Sequence, residues 1–203
     1  MKKITASAAA IVAAFANFSA EAAEIRPYVG LDAVWDDVGL DDGMSAYLKD
    51  GYKSFKVNAG VRANDRFGVE VFYQHSGKEG KTVPTVFVNV LERITARIEA
   101  FGADVKGYLP VGGFEKAEFY GTIGVARYDF DGQDSAFNTA TGAFASEDVS
   151  EKSTGFRFGI GAQYRFDDHW SADLSCRYVK LNGGDDDAFN NLKEVSAGVK
   201  YTF

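Results

Sequence analysis

The sequence is poor in cysteine, proline and histidine, and it has no long apolar segment. Among its 203 residues there are one cysteine, three prolines and two histidines. The single cysteine, Cys176, excludes an internal disulfide framework. Apart from the N-terminal segment discussed below, no stretch approaches the roughly twenty consecutive apolar residues of a transmembrane helix. We therefore expect neither a disulfide framework nor a transmembrane helix in the chain that follows the N-terminal segment.

A basic surface is also missing, because the formal net charge is −7 and no basic patch stands out. This balance argues against nucleic acid as a partner. What is abundant is glycine, with 22 residues, and aromatic side chains, which make up 14% of the chain. Many aromatics and glycines with few prolines are typical of β proteins. A hydrophobic content of 46% argues against a disordered chain.

The first 22 residues predict a secretory signal peptide. A basic start at Lys2 and Lys3 precedes an alanine-rich apolar stretch over residues 4–18, and Ala20 and Ala22 form an A-x-A cleavage pattern. We expect cleavage after Ala22 and export of residues 23–203 as one domain. An N-terminal membrane anchor is the alternative, but the apolar stretch is short and rich in alanine.

The last eleven residues form a strand whose two faces differ sharply. One row is apolar and the other contains no apolar side chain. The apolar row is Val195, Ala197, Val199, Tyr201 and Phe203, and the opposite row is Glu194, Ser196, Gly198, Lys200 and Thr202. Such a strand separates two solvents. In a membrane barrel these are lipid outside and a polar lumen inside.

Seven further segments repeat this alternation. Together the eight cover approximately residues 27–36, 54–62, 67–75, a segment ending at 109, 117–128, 155–166, 170–180 and 193–203. Their lengths suit tilted strands that cross a bilayer. In the fourth segment Ile94, Ala96 and Ile98 lie on the opposite parity from the outward residues that follow, so we expect a bulge or bend near Glu99.

The connections alternate between short and long. Short turns follow the second, fourth and sixth segments, whereas long polar connections cover residues 37–53, 76–93, 129–154 and 182–192. Outer-membrane barrels have short periplasmic turns and long external loops, which places both termini in the periplasm. Outward aromatics also collect at both strand ends, as expected for two membrane interfaces.

These patterns predict an all-β, eight-stranded antiparallel up-and-down transmembrane β-barrel in the cell outer membrane. A soluble lipocalin-like barrel or a β-sandwich is the alternative, since periodicity alone does not say which face is buried. The polar rows are rich in glycine and charged residues, and the outward aromatics collect at the two ends of the strands. Both features favour the membrane barrel.

The chain resembles the small eight-stranded outer-membrane barrels of the OmpA, OmpX and Opa type, which are porin-family-like. The resemblance rests on Tyr28-Val29-Gly30, on residues 105–110 with the sequence VKGYLP, and on the terminal Tyr201-Thr202-Phe203. It implies that Tyr201 and Phe203 form the signal that the barrel-assembly machinery reads. It also implies a protein that lives among outer-membrane lipid and lipopolysaccharide.

The inward rows carry charges of both signs. The predicted polar network of the lumen consists of Asp32, Arg62, Glu70, Asp104, Lys106, Arg157, Asp173, Arg177, Glu194 and Lys200. Confined charges should pair, because an unpaired buried charge is costly. We favour a polar plug over a narrow porin-like pore, since open aqueous channels need about sixteen strands. We expect no cofactor and no metal site.

Enzymatic activity has weak support. Some small outer-membrane barrels modify lipid A, and His169-Trp170-Ser171 has a suggestive spacing. This site would lie on the periplasmic side, away from lipid A, while His75 and Ser76 point to opposite faces of a strand. No catalytic residues are therefore predicted, and a lipid A-modifying enzyme remains a further alternative.

The predicted external loops are acidic, with carboxylate runs at residues 36–37, 41–42, 129–134 and 185–187. These runs favour a solvated rim over a divalent-cation site, because the spacing of a calcium loop is incomplete. Apolar points at 83–90 and 136–144 suit contact with another protein. We expect a non-enzymatic protein with an envelope-structural or adhesive role, whose external loops contact a surface or host protein.

Overall fold

The computed structural model describes residues 25–40, 51–84, 90–110, 116–182 and 189–203. These residues form nine β-strands and the turns between them. The strands are β1 (Arg26–Leu40), β2 (Gly51–Arg62), β3 (Phe67–Ser76), β4 (Glu79–Pro84), β5 (Val90–Pro110), β6 (Ala117–Asn138), β7 (Phe144–Arg165), β8 (Trp170–Leu181) and β9 (Phe189–Thr202). Over the same ranges, no helix is long and apolar enough to span a membrane. The predicted signal peptide, residues 1–22, lies outside the described residues.

Eight of the strands close into one antiparallel barrel. The sheet order runs β3-β2-β1-β9-β8-β7-β6-β5, and an additional pairing of β3 with β5 joins its two ends. The last strand pairs with the first along a ladder that begins at Tyr28↔Thr202, as the sequence predicts. Closure leaves no unpaired edge within the wall, which is what a sheet surrounded by lipid requires. The predicted fold class is thus confirmed.

The ninth strand, β4, lies outside the barrel wall and pairs only with the first part of β5. It falls within the predicted loop 76–93, and the predicted loop 129–154 is likewise mostly strand. In that second segment β6 and β7 stay paired from Ala117↔Tyr164 to Phe137↔Phe144. The loop assignment was wrong because polar side chains occupy both faces of these extensions and the apolar ones are scattered, so the alternation disappears although the hydrogen-bond ladder continues.

The expected bulge or bend near Glu99 is found on one side of β5 only. There the partner strand changes from β3, at His75↔Glu99, to β4, at Glu79↔Ala96, and three residues face two. The other side is regular. Strands β5 and β6 keep one register from Val90↔Asn138 to Pro110↔Glu118. Ile98 is fully buried on the inward face, as are the neighbouring Ala96 and Ala100. Their parity is therefore that of the lumen. The change of parity in the sequence pattern reflects apolar side chains on the inward face, which the sequence analysis expected to be polar.

The outward face carries the apolar side chains along the wall. Leu31, Val57, Val71, Ile123 and Ile160 lie exposed there in the aliphatic band. Aromatic side chains flank the band at both ends. At the periplasmic end these include Phe67, Phe119, Phe166, Trp170 and Phe203, and at the external end Trp35, Phe55, Tyr73, Phe101, Phe156 and Phe158. Exposed apolar side chains in such a belt match a lipid-facing surface with two interfaces.

The periplasmic turns are closed by side chains that accept backbone hydrogen bonds. Asn64 Oδ1 accepts from the N–H groups of Arg66 and Phe67, both at 2.8 Å. Asp167 Oδ1 accepts from Trp170 N at 2.7 Å and His169 N at 2.9 Å. Those N–H groups hold the pKa of Asp167 below its usual range, because they stabilise the ionised carboxylate.

Two inward glycines leave room for tyrosine rings against the barrel wall. Gly60 pairs with Tyr28 and Gly161 pairs with Tyr120 on the neighbouring strand. A Cβ atom at either glycine would overlap the ring of its tyrosine partner. Each ring therefore lies over a glycine, and its hydroxyl reaches into the lumen.

This close approach predicts that Gly161→Ala destabilises the barrel. The added methyl displaces the Tyr120 ring, and overpacking of this kind costs about 1–3 kcal/mol in unfolding free energy. The matched control is Gly121→Ala on the lipid face, where a Cβ would meet nothing within 4 Å. Urea unfolding in lipid vesicles, followed by heat-modifiable gel mobility, measures both. Equal stability of the two variants would contradict the tyrosine-over-glycine packing.

Candidate functional site

The structure places the ten predicted lumen residues inside the barrel. Nine of them are buried, and Arg62 is close to buried, with 12% of its side chain exposed at the periplasmic mouth. Lys56, Glu118 and the tyrosines Tyr28, Tyr120 and Tyr128 join them in the interior. The sequence analysis did not include these tyrosines in the network, although they share the parity of the charged residues. Hydrogen bonds and ion pairs connect the interior residues in layers.

At the periplasmic mouth, Arg62 binds Glu118 with both nitrogens of its guanidinium group. The Nη1–Oε1 and Nη2–Oε2 distances are 2.6 and 2.9 Å. The guanidinium carbon also lies 4.1 Å from the centroid of the Tyr108 ring. A bidentate pair stacked on an aromatic ring is a rigid arrangement of an arginine. It closes the lowest layer of the lumen.

The middle layer joins six strands through two lysines, two carboxylates and two tyrosines. Lys106 Nζ lies 2.5 Å from Glu70 Oε2, and Lys200 Nζ lies 2.8 Å from Asp173 Oδ2. Lys200 also lies 3.7 Å from Glu70, which links the two pairs. Two tyrosine hydroxyls complete the layer by donating to the carboxylates. Tyr28 donates to Glu70 at 3.0 Å and Tyr120 donates to Asp173 at 2.8 Å.

The next layer is centred on Arg157. Its Nη1 and Nη2 atoms donate to the two carboxylate oxygens of Glu194 at 3.3 and 3.0 Å, and its Nε atom lies 3.3 Å from Asp104 Oδ1. The Tyr128 hydroxyl accepts from Arg157 at 2.6 Å and donates to Glu194 at 3.0 Å. Arg177 approaches Asp104 from the other side at 3.6 Å. Every charge in this layer therefore faces a charge of opposite sign.

The remaining inward carboxylates are also bound. Asp32 lies 2.8 Å from Lys56 Nζ and accepts a hydrogen bond from Asn58 at 3.1 Å. Asp36 accepts from Gln74 at 3.0 Å and, by a short contact, from the Ser54 hydroxyl. Asp36 belongs to the acidic run that was predicted to line the external rim. The structure instead turns Asp36 into the lumen, while its neighbour Asp37 is exposed.

An apolar layer lies on the external side of the charged layers. Its members share the inward parity and pack as one cluster of buried side chains. They are Val38, Tyr52, Phe72, Ala96, Ile98, Ala100, Ala126, Tyr128, Phe130, Val179, Leu181 and Leu192. Phe72 touches both layers, since the Arg157 guanidinium stacks 4.0 Å from its ring centroid. Sequence reasoning missed this layer because the lumen was expected to be polar throughout.

Beyond the barrel, four strand segments form an external sheet. It consists of β4, residues 90–97 of β5, residues 129–138 of β6 and residues 144–153 of β7. Beyond the outer aromatic side chains, β6 continues for about ten residues, or roughly 30 Å along the strand. Leu91, Phe137 and Phe144 lie in register across three strands near its tip. All three side chains are exposed, so the sheet carries a large apolar row in water, which we call the tip row.

Ion pairs cover the outward face of the external sheet nearest the membrane. Arg97 lies 2.8 Å from Asp131 and 3.5 Å from Glu99. Asp129 lies 3.2 Å from Arg127 and 3.6 Å from Lys152. The predicted acidic run 129–134 is thus part of a strand, and its first two carboxylates face basic groups.

Within the ranges that the structure describes, no three acidic, histidine or cysteine side chains are grouped to hold a metal ion. The runs 41–42 and 185–187 lie outside those ranges.

The two histidines lie at opposite ends of the barrel. His75 is at the external end, where its Nδ1 atom lies 3.3 Å from Glu99 Oε1. Ser76 points to the other face and accepts a hydrogen bond from the Ile98 N–H at 2.7 Å. His169 is in a periplasmic turn and stacks on Tyr201, with ring centroids 5.5 Å apart. The two histidines are therefore far apart, and the side chains of His75 and Ser76 lie on opposite faces of their strand.

The C-terminal aromatics form a cluster at the periplasmic seam. Tyr201 contacts the rings of Trp170 and Phe203 edge to face, with centroids 5.1 and 5.2 Å apart. The backbone N–H of Phe203 donates to Pro27 O at 3.0 Å, which ties the chain end to β1. The Phe203 side chain itself is 69% exposed. The predicted assembly residues are therefore adjacent and lie on the outside of the closing strand.

Comparison with known proteins gives the family. A model of the outer membrane protein beta-barrel domain family matches residues 6–203. The chain belongs to this family. Its barrel is accordingly an outer-membrane barrel, and its apolar belt is the surface that meets lipid. No curated protein sequence matches the chain.

Solved structures of small outer-membrane barrels share the fold. Neisserial surface protein A is 20% identical, with a TM-score of 0.61 over 87% of this chain and 97% of its own. Ail, the attachment invasion locus protein of Yersinia pestis, is 16% identical, with a TM-score of 0.58 over 89% and 99%. A major outer membrane protein of Thermus thermophilus is 12% identical, with a TM-score of 0.63 over 88% and 99%. At these identities the likeness shows the fold alone.

Burial of the Arg157 ion pairs predicts a large effect when the arginine is removed. Arg157→Met leaves Glu194 and Asp104 facing an apolar side chain, and breaking a buried pair costs about 3–5 kcal/mol of unfolding free energy. The matched control is Arg97→Met, which breaks the half-exposed pair with Asp131 and should cost little. Urea unfolding in vesicles compares the two. Adding Glu194→Gln to Arg157→Met should recover part of the loss. Similar losses for Arg157→Met and Arg97→Met would contradict a stabilising role of the buried Arg157 ion pairs.

Proposed function

We propose that the protein is a closed, non-enzymatic outer-membrane barrel that contacts other surfaces through its external sheet. The observation that carries this proposal is the contrast between the two ends of β5, β6 and β7. Inside the wall these strands contribute to a lumen filled with ion pairs and a buried apolar layer. Outside it they continue into water and expose the tip row of Leu91, Phe137 and Phe144. Exposed apolar groups of this size mark interaction sites on soluble surfaces.

The chemistry of the sheet favours a protein surface as the partner. The tip row supplies apolar contact area, and the outward face below it carries arginines, a lysine and carboxylates in mixed pairs. Ail is the attachment invasion locus protein, and its structure contains sucrose octasulfate, a heparin analogue. For this chain a polyanion is a less suitable ligand, because its net charge is −7 and its predicted external runs are acidic.

The filled lumen argues against the narrow-pore alternative. A conducting path would require water to pass the Arg157 layer and then the apolar layer that contains Ile98 and Leu192, both fully buried. The polar groups of the lumen therefore act as a plug that holds the wall together. The lipid A-modifying alternative finds little support in the positions of His75 and His169 at opposite ends. Planar-bilayer recordings address the first alternative, and lipid A mass spectra address the second.

Adhesion is tested by shortening the external hairpin. Deleting residues 132–149 and joining Asp131 to Ser150 through Asn-Gly keeps the pairing of the wall, because Asp131 and Ser150 face each other across the ladder. Cells that display the shortened protein should bind protein-coated surfaces several-fold less than cells with the full chain. A second variant changes only the tip row, as Phe137→Ser with Phe144→Ser, and keeps the hairpin at full length. It should lose most of the same binding.

Both variants should retain heat-modifiable mobility, which shows that the barrel has folded. Neither they nor the full chain should give discrete conductance steps in planar bilayers. Unchanged adhesion of the shortened protein would overturn the role of the sheet, and reproducible channels of the full chain would overturn the closed barrel.

We further propose that the first 22 residues direct export and that Tyr201 and Phe203 are read by the barrel-assembly machinery. Their support is the A-x-A pattern at Ala20 and Ala22 and the exposure of Phe203 at the seam. The mature protein would then contact lipopolysaccharide through the belt and the ion pairs above it, and it would need no cofactor.

Deleting Phe203 should lower the yield of folded protein in the outer membrane by several-fold, because the terminal aromatic is the accessible part of the closing strand. The matched control is Phe166→Ala, an exposed aromatic at the same end that is not terminal. Heat-modifiable protein in outer-membrane fractions measures the yield. Equal yields for the deletion and the full chain would remove the signal role of Phe203.

A further inference from the structure

Two outer strands of the external sheet have a single neighbour among the strands that the structure describes. Strand β4 pairs with β5 there and with no other described strand. At the other side of the sheet, β7 pairs with β8 as far as Gly155↔Leu181, so within the described ranges residues 144–153 pair with β6 alone. Every second residue of such an edge directs its N–H and C=O groups away from the sheet. Both edges lie beyond the closed part of the barrel, where no described strand of the wall pairs with them.

The two edges run in opposite directions. Strand β4 is antiparallel to β5, and two further antiparallel steps through β6 lead to β7. All copies of the protein have the same orientation in one membrane. When two copies stand side by side, β7 of one and β4 of the other therefore meet as an antiparallel pair above the bilayer. Two β4 edges, or two β7 edges, would meet in parallel.

The charges of the two edges are complementary. The β7 segment of residues 144–153 carries Glu147, Asp148 and Glu151 against one basic residue, Lys152. The β4 edge and the residue before it carry Lys78 and Lys81 against Glu79. Opposite charges across strands support pairing, whereas like charges oppose it. The charges therefore favour β7 against β4 and disfavour β7 against β7. The β7 edge also contains no proline that would interrupt a ladder.

We propose that the protein associates head to tail with a second copy of itself, through its β7 edge and the β4 edge of its neighbour. Because the two surfaces differ, the contact is heterologous, and it extends into rows or closes into rings. β4 is six residues long, so the contact is small and depends on confinement in the membrane, which raises the effective concentration. The tip row is a different surface, so this association is independent of adhesion.

Disulfide cross-linking between two tagged copies tests the arrangement. The lipid-facing Cys176 is first replaced by alanine, and single cysteines are introduced as Thr82→Cys on β4 and as Ser146→Cys or Ser150→Cys on β7. All three positions are exposed and lie on the outward face. Co-expressed in one outer membrane, the Thr82→Cys copy should form an oxidant-dependent disulfide with at least one of the β7 variants. Each variant alone should form several-fold less dimer. The matched control is Thr141→Cys in the exposed turn at the tip, which should not cross-link with either edge.

Charge reversal gives a second, independent measurement. Glu147→Lys in the β7 copy should lower the cross-linked fraction several-fold, and Lys81→Glu in the β4 copy should restore it. Heat-modifiable mobility verifies that each variant is folded. Cross-linking of a variant with itself as efficiently as with the other edge would overturn the proposal. So would the absence of mixed dimers at both β7 positions, or a cross-link from either edge to a different protein instead. None of these outcomes depends on whether the cells adhere.

Discussion

Closure of the sheet is the constraint on which the rest of the structure depends. Once β1 pairs with β9 and β3 pairs with β5, every side chain of the wall points either to lipid or into a narrow lumen. The lumen is too narrow to hydrate a charge fully, so each inward charge needs a partner from another strand. The Glu70–Lys106 and Asp173–Lys200 pairs satisfy this need between neighbouring strands, and the contact of Lys200 with Glu70 connects β9 with the non-adjacent β3. The network is thus a consequence of the closed wall and a support for it.

The alternation of the sequence is informative wherever the two faces meet different solvents. It therefore predicts the closing strand, the aromatic ends and the parity of the charged lumen residues. It fails in the external sheet, because residues 131–138 meet water on both faces and look like a loop. It also fails at Ala96 and Ile98, whose side chains belong to the inner apolar layer and whose parity was interpreted as a bulge or bend.

The pairing of individual charges could not be predicted from the sequence. Arg157 finds Glu194 across 37 sequence positions, and its choice depends on the stagger of neighbouring strands. The tyrosines were missed for a related reason. Tyr28 and Tyr120 belong to the network because Gly60 and Gly161 let their rings lie against the wall, and that cross-strand register follows only from the barrel as a whole.

The order of the layers along the barrel axis separates structure from interaction. The charged layers fill the lumen inside the wall, where ion pairing compensates the charged side chains for their loss of hydration. The apolar layer covers these layers on the external side. Above that layer the wall no longer has to close, because water can satisfy an unpaired backbone group. The same three strands that carry Asp104, Arg157 and Tyr128 inside can therefore continue outside into a sheet whose two outer strands have no second neighbour among the described strands. The barrel fixes the position and direction of these strands, so the neighbouring copy that we propose can pair with each of them in one orientation only.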